Sequence, residues 1–447
     1  MTTLPFQGSH TPSRLGRYLL VGGVAALAIA GITAGAIAMT SGDSTGERPA
    51  DSGSLFPGRG PDATITQLQE RLAQRPDDVA TMVALAERYL QRVRETGDPA
   101  LYGNAEAVLT KAAALEPENP DVVAARATLA LGRHDFRGAL ALASEAVAID
   151  PERARYYGLR ADAEIELGLY DEAVASLQEM VDRRPDFASY SRIAYARELY
   201  GDPEGAIEAM EQSLEAGTTI PENRAWALAE IGRLLFVFAR FDDADRVYAA
   251  SLAAFPDYHV ALAGQAQIRA AKGDLSGAAA TYSRAFDLVP LPGYAIALGD
   301  LATRQGDSAA ASRHYALVDS IDRLFVANGA NTDLEIALFH ADRGQDLEAT
   351  VARARAVYAA RPSIHAADVL AWALFRSGAI DEASGFAGQA LRLGTLDPIK
   401  LYHAGVIAKA AGQDEEAKAL LEEALRRNPE FSVLLAAEAK AALAVLQ

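Results

Sequence analysis

The residues of this chain that could do chemistry are few and widely spaced. Its seven histidines are scattered over 447 residues, and cysteine is absent. The sequence lacks a glycine-rich phosphate loop with lysine, a GxSxG elbow, an HExxH helix and a calcium loop of alternating acids. His340, His365 and His403 come nearest to a metal site, but no histidine or carboxylate follows any of them at i+4. The sequence therefore predicts no catalytic residue, no metal site and no cofactor.

Two pairs of neighbouring acids, Asp171-Glu172 and Asp381-Glu382, recur at equivalent places. Both pairs fall where a helix is predicted to begin. Acidic side chains in a first helical turn interact favourably with the partial positive charge of the helix N-terminus. We interpret the pairs as helix-start features and not as catalytic dyads.

The elements that must position any functional side chain are repeats of about 34 residues. Each repeat carries a Gly, an Ala five residues later, apolar or small residues four and seven after that Ala, and then a Pro. A period of this size predicts helix–turn–helix units that stack to bury their apolar faces. The recurring alanines are Ala139, Ala173, Ala206, Ala244, Ala278, Ala311, Ala383 and Ala417.

This pattern resembles the tetratricopeptide repeat (TPR). Its marks are small residues in the first helix, a Gly before the turn, an Ala early in the second helix and a closing Pro. Small residues permit close helix crossing, Gly suits a helix C-cap, and Pro ends a helix. The resemblance implies an all-α, right-handed solenoid of about ten stacked units. One full set is Ala161, Gly168, Tyr170, Ala173, Leu177 and Pro185; others include Ala266, Gly273, Ala278 and Pro290, and Gly405, Gly412, Ala417 and Pro429.

Some units depart from this spacing. The unit between Ala311 and Ala383 is degenerate, with Thr350 in the expected Ala position, and the helix before it is predicted to break at Asn328-Gly329. Insertions at Thr218–Arg224 and Ser320–Asp333 are the places where an enzyme could carry an active site. Tolerated loop variation is the other explanation for them.

The N-terminal segment predicts a membrane anchor. Arg14 and Arg17 precede an uncharged run at 18–39, whose 22 residues would span roughly 33 Å as a helix. The positive-inside rule places 1–17 in the cytoplasm and the remainder on the far side. The alternative is a cleaved signal with a site at 36–38, followed by secretion.

The rest of the chain divides into three predicted parts. Residues 40–61 are rich in Ser, Gly, Pro and Asp and are expected to form a flexible linker. Residues 62–430 form the repeat array, and 431–447 form a C-terminal capping helix. Within the array, residues 365–413 also resemble TPR proteins of bacteria.

The charge distribution limits the partners. The first 42 residues hold two of the 42 basic residues and none of the 60 acidic ones, so the rest carries a net charge of −20. Such an array repels phosphate backbones, which disfavours nucleic acid as a partner. A basic protein or peptide would be attracted, and no small-molecule substrate is expected.

The TPR resemblance also places a binding surface on the concave side of the solenoid, on one face of each first helix. Aromatic and Arg side chains there are typical of binding hot spots. Packing between repeats is the alternative for the aromatic ones. The candidate groove residues are Arg155, Asp162, Tyr195, Glu198, Trp226, Arg233, Phe236, Gln267, Phe339, Trp372, Phe375, Tyr402 and Lys409.

Together these observations predict a non-enzymatic scaffold that is tethered to a bacterial cell membrane and binds a protein or peptide outside the cytoplasm. Two alternatives are an enzyme with its site in the insertions and a structural spacer of the envelope without a specific ligand.

Overall fold

The computed structural model describes residues 62–447, and this part contains twenty-two α-helices and no strand. The helices are α1 Ala63–Gln74, α2 Val79–Thr96, α3 Ala100–Leu115, α4 Pro120–Gly132, α5 Phe136–Ile149, α6 Ala154–Glu166, α7 Tyr170–Arg183, α8 Phe187–Leu199, α9 Pro203–Ala216, α10 Pro221–Val237 and α11 Phe241–Ala254. They continue as α12 His259–Ala271, α13 Leu275–Leu288, α14 Pro292–Gln305, α15 Ser308–Ala327, α16 Asp333–Arg343, α17 Leu347–Ala360, α18 Ile364–Arg376, α19 Ile380–Ala390, α20 Pro398–Ala410, α21 Asp414–Arg427 and α22 Leu435–Ala444.

The helices from α2 to α21 form ten antiparallel pairs, which we number as units 1 to 10. α1 packs against α2 before the first unit, and α22 follows the last. In each unit the even-numbered helix is the first helix and the odd-numbered one is the second. This arrangement confirms the predicted all-helical, TPR-type solenoid. The predicted membrane segment 18–39 and linker 40–61 lie outside the described residues.

The turn between the two helices of a unit needs one residue in the left-handed backbone conformation. Gly168, Gly201 and Gly412 supply it with φ of 71°, 81° and 75°. In two units the Gly is replaced, and His134 and Ala239 adopt φ of 61° and 54° there. The turn therefore forms even where a side chain makes this conformation cost about 1–2 kcal/mol.

The recurring alanine lies where the two helices of a unit cross. Ala139, Ala244 and Ala278 are all fully buried. In the degenerate unit α16–α17, Thr350 takes this position, is 4% exposed, and donates its hydroxyl proton to the carbonyl of Gln345. One polar side chain is thus tolerated at the crossing because its hydroxyl has a backbone acceptor. The break predicted before this unit is confirmed, since α15 ends at Ala327.

The turns of units 2, 3 and 5 contact loops that follow 192 to 197 residues later in the chain. Each contact joins the turn of one unit to the loop that leaves the unit five positions further on. The contacting pairs are His134 with Asn331, Glu166 with Arg361, Tyr170 with Ile364, and Phe236 with Asn428.

This pairing means that one superhelical turn takes between five and six units and rests directly on the next turn. The sequence alone predicts contacts between neighbouring units. The structure adds a second set of contacts between distant units, which we call the seam. Because the seam joins successive turns, the concave side of the solenoid becomes the interior of a closed superhelix.

Candidate functional site: the interior of the superhelix

Paired charges connect the first helices of neighbouring units. Arg192 of α8 donates two hydrogen bonds of 2.8 Å to Asp162 of α6, and both side chains are buried. Arg233 of α10 binds Glu198 of α8 in the same bidentate way, at 2.7 and 2.6 Å. Such bidentate pairs are strong and directional. Three candidate groove residues, Asp162, Glu198 and Arg233, thus have charge partners within the array.

Trp372 is packed inside the last units. It is 2% exposed, and its Nε1 donates to Asp342 Oδ1 at 2.8 Å. Its ring stacks on His403 and Phe375, with centroid distances of 4.2 and 5.1 Å. Of the two interpretations given for this residue, the structure places it between repeats.

Three more candidate aromatics are buried. Tyr402 donates its hydroxyl proton to Glu438 at 2.8 Å, and Phe339 packs against Tyr315 with a centroid distance of 5.7 Å. Phe236 is 7% exposed, and its carbonyl accepts a seam hydrogen bond. Their side chains therefore contribute to packing between helices.

The other candidates are partly exposed. Trp226 lies edge-on to Phe187, with a centroid distance of 6.3 Å, and its Nε1 has no hydrogen-bond partner. Phe375 and Gln267 are half-buried. The remaining contacts are Arg155 with Glu87 at 2.6 Å, Tyr195 with His365 at 3.3 Å, and Lys409 with the carbonyl of Ala442 at 3.4 Å. Partner binding by all thirteen residues stays a prediction.

A cavity of about 910 Å³ runs through the interior of the superhelix. Its lining draws on units 1 to 3, on units 5 to 10, and on the segment after α21. Pockets that hold small ligands occupy about 300–1,000 Å³, so the cavity lies in the upper part of that range. Phe236, Gln267 and Phe339 are the candidate groove residues that line it.

Exposed lining residues of the cavity cluster at the C-terminal ends of two neighbouring first helices. Lys272 and Gly273 at the end of α12, and Thr303 and Arg304 at the end of α14, belong to the lining and are exposed. We call these four residues the mouth. The carbonyl of Val433 accepts a hydrogen bond from Arg304 at 3.2 Å, so the C-terminal segment lies at its rim.

The non-helical segment between α21 and α22 lines the cavity. Phe431 is 6% exposed and contacts the Tyr402 ring at a centroid distance of 5.9 Å. Val433 packs against the apolar cluster of units 6 to 8. The interior therefore already accommodates the backbone and an aromatic side chain of a polypeptide segment that has no regular secondary structure.

The insertions have structural contacts. In Thr218–Arg224, Glu222 and Asn223 are buried and accept hydrogen bonds from Arg94 at 2.9 and 2.7 Å, which joins unit 5 to unit 1. In Ser320–Asp333, the Thr332 hydroxyl bonds to Asp322. Within residues 62–447, no cluster of three or more His, Cys, Asp or Glu side chains could hold a metal ion.

Burial raises the pKa of two carboxyl groups that line the cavity. The pKa of Asp300 rises to about 6, although Arg343 and the Tyr315 hydroxyl oppose the shift. The pKa of Glu335 rises to about 8, because burial and the nearby charge of Asp322 both disfavour its ionised form. Neutral Glu335 can donate a hydrogen bond, and a cation beside it would restore its charge.

The sequence did not single out Glu335 as a site residue, and it presented His365 and His403 only as separate histidines. All three line the cavity. His403 Nδ1 contacts the Asp368 carboxylate at 3.0 Å, across 35 residues of sequence. The spacing of His403 and Asp368, close to one repeat length, is the sequence signal that could have predicted this contact.

No helix that the structure describes is both long and apolar enough to span a membrane. The predicted anchor precedes residue 62, so this finding concerns the array alone.

Comparisons with known proteins agree with the repeat pattern. Family models described as "Tetratricopeptide repeat" match residues 101–162, 130–197, 229–291 and 401–431. A curated relative from Saccharomyces cerevisiae, small glutamine-rich tetratricopeptide repeat-containing protein 2, is 34% identical over 87 residues. That match spans 19% of this chain and 25% of the yeast protein.

Solved structures with similar helical arrays include PilW, a type IV pilus biogenesis factor, which is 21% identical with a TM-score of 0.38. The match covers 45% of this chain and 92% of PilW. Yeast Tom70 is 16% identical with a TM-score of 0.37. That match covers 85% of this chain and 96% of the Tom70 chain. The human IFIT1 dimer with PPP-AAAA is 14% identical with a TM-score of 0.44. That match covers 82% of this chain and 95% of the IFIT1 chain.

The ten helix pairs, the buried alanine at their crossings and the matching family models lead to one conclusion: this chain contains tetratricopeptide repeats.

Proposed function

We propose that this protein is a scaffold that binds an exposed segment of a protein partner inside its superhelix, through the mouth. TPR proteins generally serve as protein-interaction scaffolds. The observation that carries the proposal is the position of residues 430–434, an irregular polypeptide segment that lines the cavity. A surface that holds Phe431 and the backbone of Val433 offers the contacts that a partner segment needs.

A photoreactive amino acid at the mouth tests this proposal. With such a residue in place of Lys272, irradiation of the producing cells should give a covalent adduct with a protein partner, to be identified by mass spectrometry. Lys272 suits the exchange because it is exposed. The matched control is Ala419, which is exposed on the second helix α21. Equal adducts at both positions, or none at Lys272, would refute binding at the mouth.

We further propose that residues 18–39 tether the scaffold to a bacterial membrane, with the array outside the cytoplasm. The support is the uncharged run after Arg14 and Arg17. A variant without residues 1–60 should move from the membrane fraction to the soluble fraction, whereas the full chain should need detergent for release. If the deletion variant still sediments with membranes in high salt, another part of the chain makes the membrane contact.

A second measurement separates an anchor from a cleaved signal. An intact anchor leaves the N-terminal residues on the mature protein, whereas cleavage after Ala38 removes them. The mass of the protein purified from cells distinguishes the two outcomes.

A further inference from the structure

The acidic, Lys and Arg side chains that line the cavity have partners, with one exception. Each Lys and Arg of the lining has a carboxylate or a carbonyl group as its partner. These pairs are Arg94 with Glu222, Lys272 with Asp242, Arg304 with the Val433 carbonyl, Arg343 with Asp300, Arg361 with Glu166, and Lys400 with Asp397. Four further acids accept hydrogen bonds: Asp342 from Trp372, Asp368 from His403, Glu430 from Lys440, and Glu438 from Tyr402.

Glu335 is the exception among the residues that the structure describes. Glu335 lines the cavity from α16 and is half-buried as a residue; its Oε2 is shielded from solvent without a hydrogen-bond partner, and no cation pairs with its carboxyl group. Burial of a carboxyl group without a partner costs free energy. A half-buried carboxyl group at the cavity wall therefore lacks a charge partner among the described residues.

The surroundings of Glu335 indicate the chemistry of that ligand. Phe325, Leu334, Leu338 and Phe339 line the same cavity and offer apolar contacts. The charge that acts on the pKa of Glu335 is that of Asp322, which is also negative. A negative potential favours a cation over a neutral or acidic group. Lys and Arg side chains, like many organic amines, combine an apolar stem with one terminal cation.

We propose that the cavity binds an apolar group that ends in a cation, and that Glu335 is the counter-ion of this cation. The group has two sources: a Lys or Arg side chain of the partner segment, or a free organic amine. The first source rests on the proposed function, and the second does not.

Proton release should accompany binding. The charged and titratable groups around Glu335 include Asp322 on α15, Tyr294 on α14 and Asp333 on α16, and Arg353 on α17 pairs with both Asp322 and Asp333. With a pKa of about 8, Glu335 is mostly protonated at pH 7. A bound cation stabilises its ionised form and lowers that pKa, so binding at pH 7 releases up to about one proton. Affinity should therefore rise from pH 6 towards pH 9.

Two probes of nearly equal shape test the site: 4-phenylbutylamine and its alcohol analogue 4-phenylbutan-1-ol. Calorimetric titration of the detergent-solubilised full chain, with a detergent blank subtracted, should show the amine binding at least about tenfold tighter. Titrations in two buffers with different ionisation heats measure the released proton. In Glu335→Gln, the preference for the amine and the proton release should both disappear.

The matched control is Glu438→Gln, the same exchange at another carboxyl group of the lining. It should keep the preference for the amine. Gln resembles neutral Glu in size and hydrogen bonding, so the fold should persist, and circular dichroism checks this. Equal affinity of the wild-type chain for amine and alcohol overturns the proposal without reference to any variant. An unchanged preference in Glu335→Gln also overturns it.

The source of the cation is decided by combining Glu335→Gln with the photoreactive residue at Lys272. Loss of the partner adduct identifies a side chain of the partner protein as the source. An undiminished adduct, together with Glu335-dependent amine binding, identifies a free amine. If the parent chain gives no adduct but binds the amine through Glu335, the proposed function fails and the cation site stands.

Discussion

Replacing Trp372 by alanine should destabilise the last three units by about 3–5 kcal/mol, the cost typical of removing a buried aromatic side chain. Trp372 is 2% exposed, stacks on His403 and donates to Asp342. The exchange would leave a cavity and a carboxylate without its donor. The measurement is hydrogen exchange of the amides in α18 and α20, which reports the free energy of local opening.

Two further variants separate packing from hydrogen bonding. Trp372→Phe keeps a six-membered ring for stacking but removes the hydrogen bond to Asp342 and part of the indole volume, so it should cost less than Trp372→Ala. Trp226→Ala should cost less than Trp372→Ala, because Trp226 is partly exposed and its Nε1 has no partner to lose. Unchanged protection in Trp372→Ala would contradict the packing of Trp372 between repeats and favour its place in the binding groove.

The repeat units could be predicted because each is encoded locally. The alanine at each crossing, the turn Gly and the closing Pro recur within one unit, and no distant information is needed to find them. Even the degenerate unit α16–α17 could be located from the spacing, with Thr350 in the alanine position. Local packing rules therefore determine the architecture of this chain.

The candidate site was harder to predict, because the inner face of a first helix serves several purposes at once. Asp162 and Glu198 have the residue types and register of a binding groove, yet each binds an Arg of the next unit. A repeat pattern predicts which face of a helix a residue occupies. It does not predict which residue of the next unit, 30 or 35 residues away, that residue will contact. Glu335 was missed for the same reason. It stands out only because no residue of a neighbouring helix pairs with it, and the repeat pattern does not show such pairs.

The seam could not be read from one sequence, because it depends on the small rotation between successive units summed over five or more of them. Small differences in this rotation decide whether successive turns touch or stay apart. The residues that meet there, such as Glu166 and Arg361, are unremarkable in the sequence. Closure of the superhelix is therefore a property of the whole array.

The second large expected effect concerns Gly201 in the turn of unit 4, which adjoins the loop that leaves unit 9 and so extends the seam. This residue has a φ of 81°, and a Cβ atom added to it would lie 2.5 Å from the carbonyl oxygen of Gly394, in the next superhelical turn. Gly201→Ala should therefore cost about 1–2 kcal/mol for the left-handed conformation and a further 1–3 kcal/mol, roughly, for the clash. Hydrogen exchange should rise in α8 and α9 and also near Gly394, 193 residues away in the sequence.

Gly412→Ala is the matched control, because Gly412 occupies the same turn position in unit 10. Its φ is 75°, and an added Cβ atom would meet no atom within 4 Å. Both variants incur the conformational cost, but only Gly201→Ala disturbs the seam, so the difference in stability between them measures the seam contact. If both variants lose the same stability, and exchange near Gly394 is unchanged in Gly201→Ala, the seam does not hold successive turns together. The superhelix would then be free to open, and its interior would become accessible between successive turns.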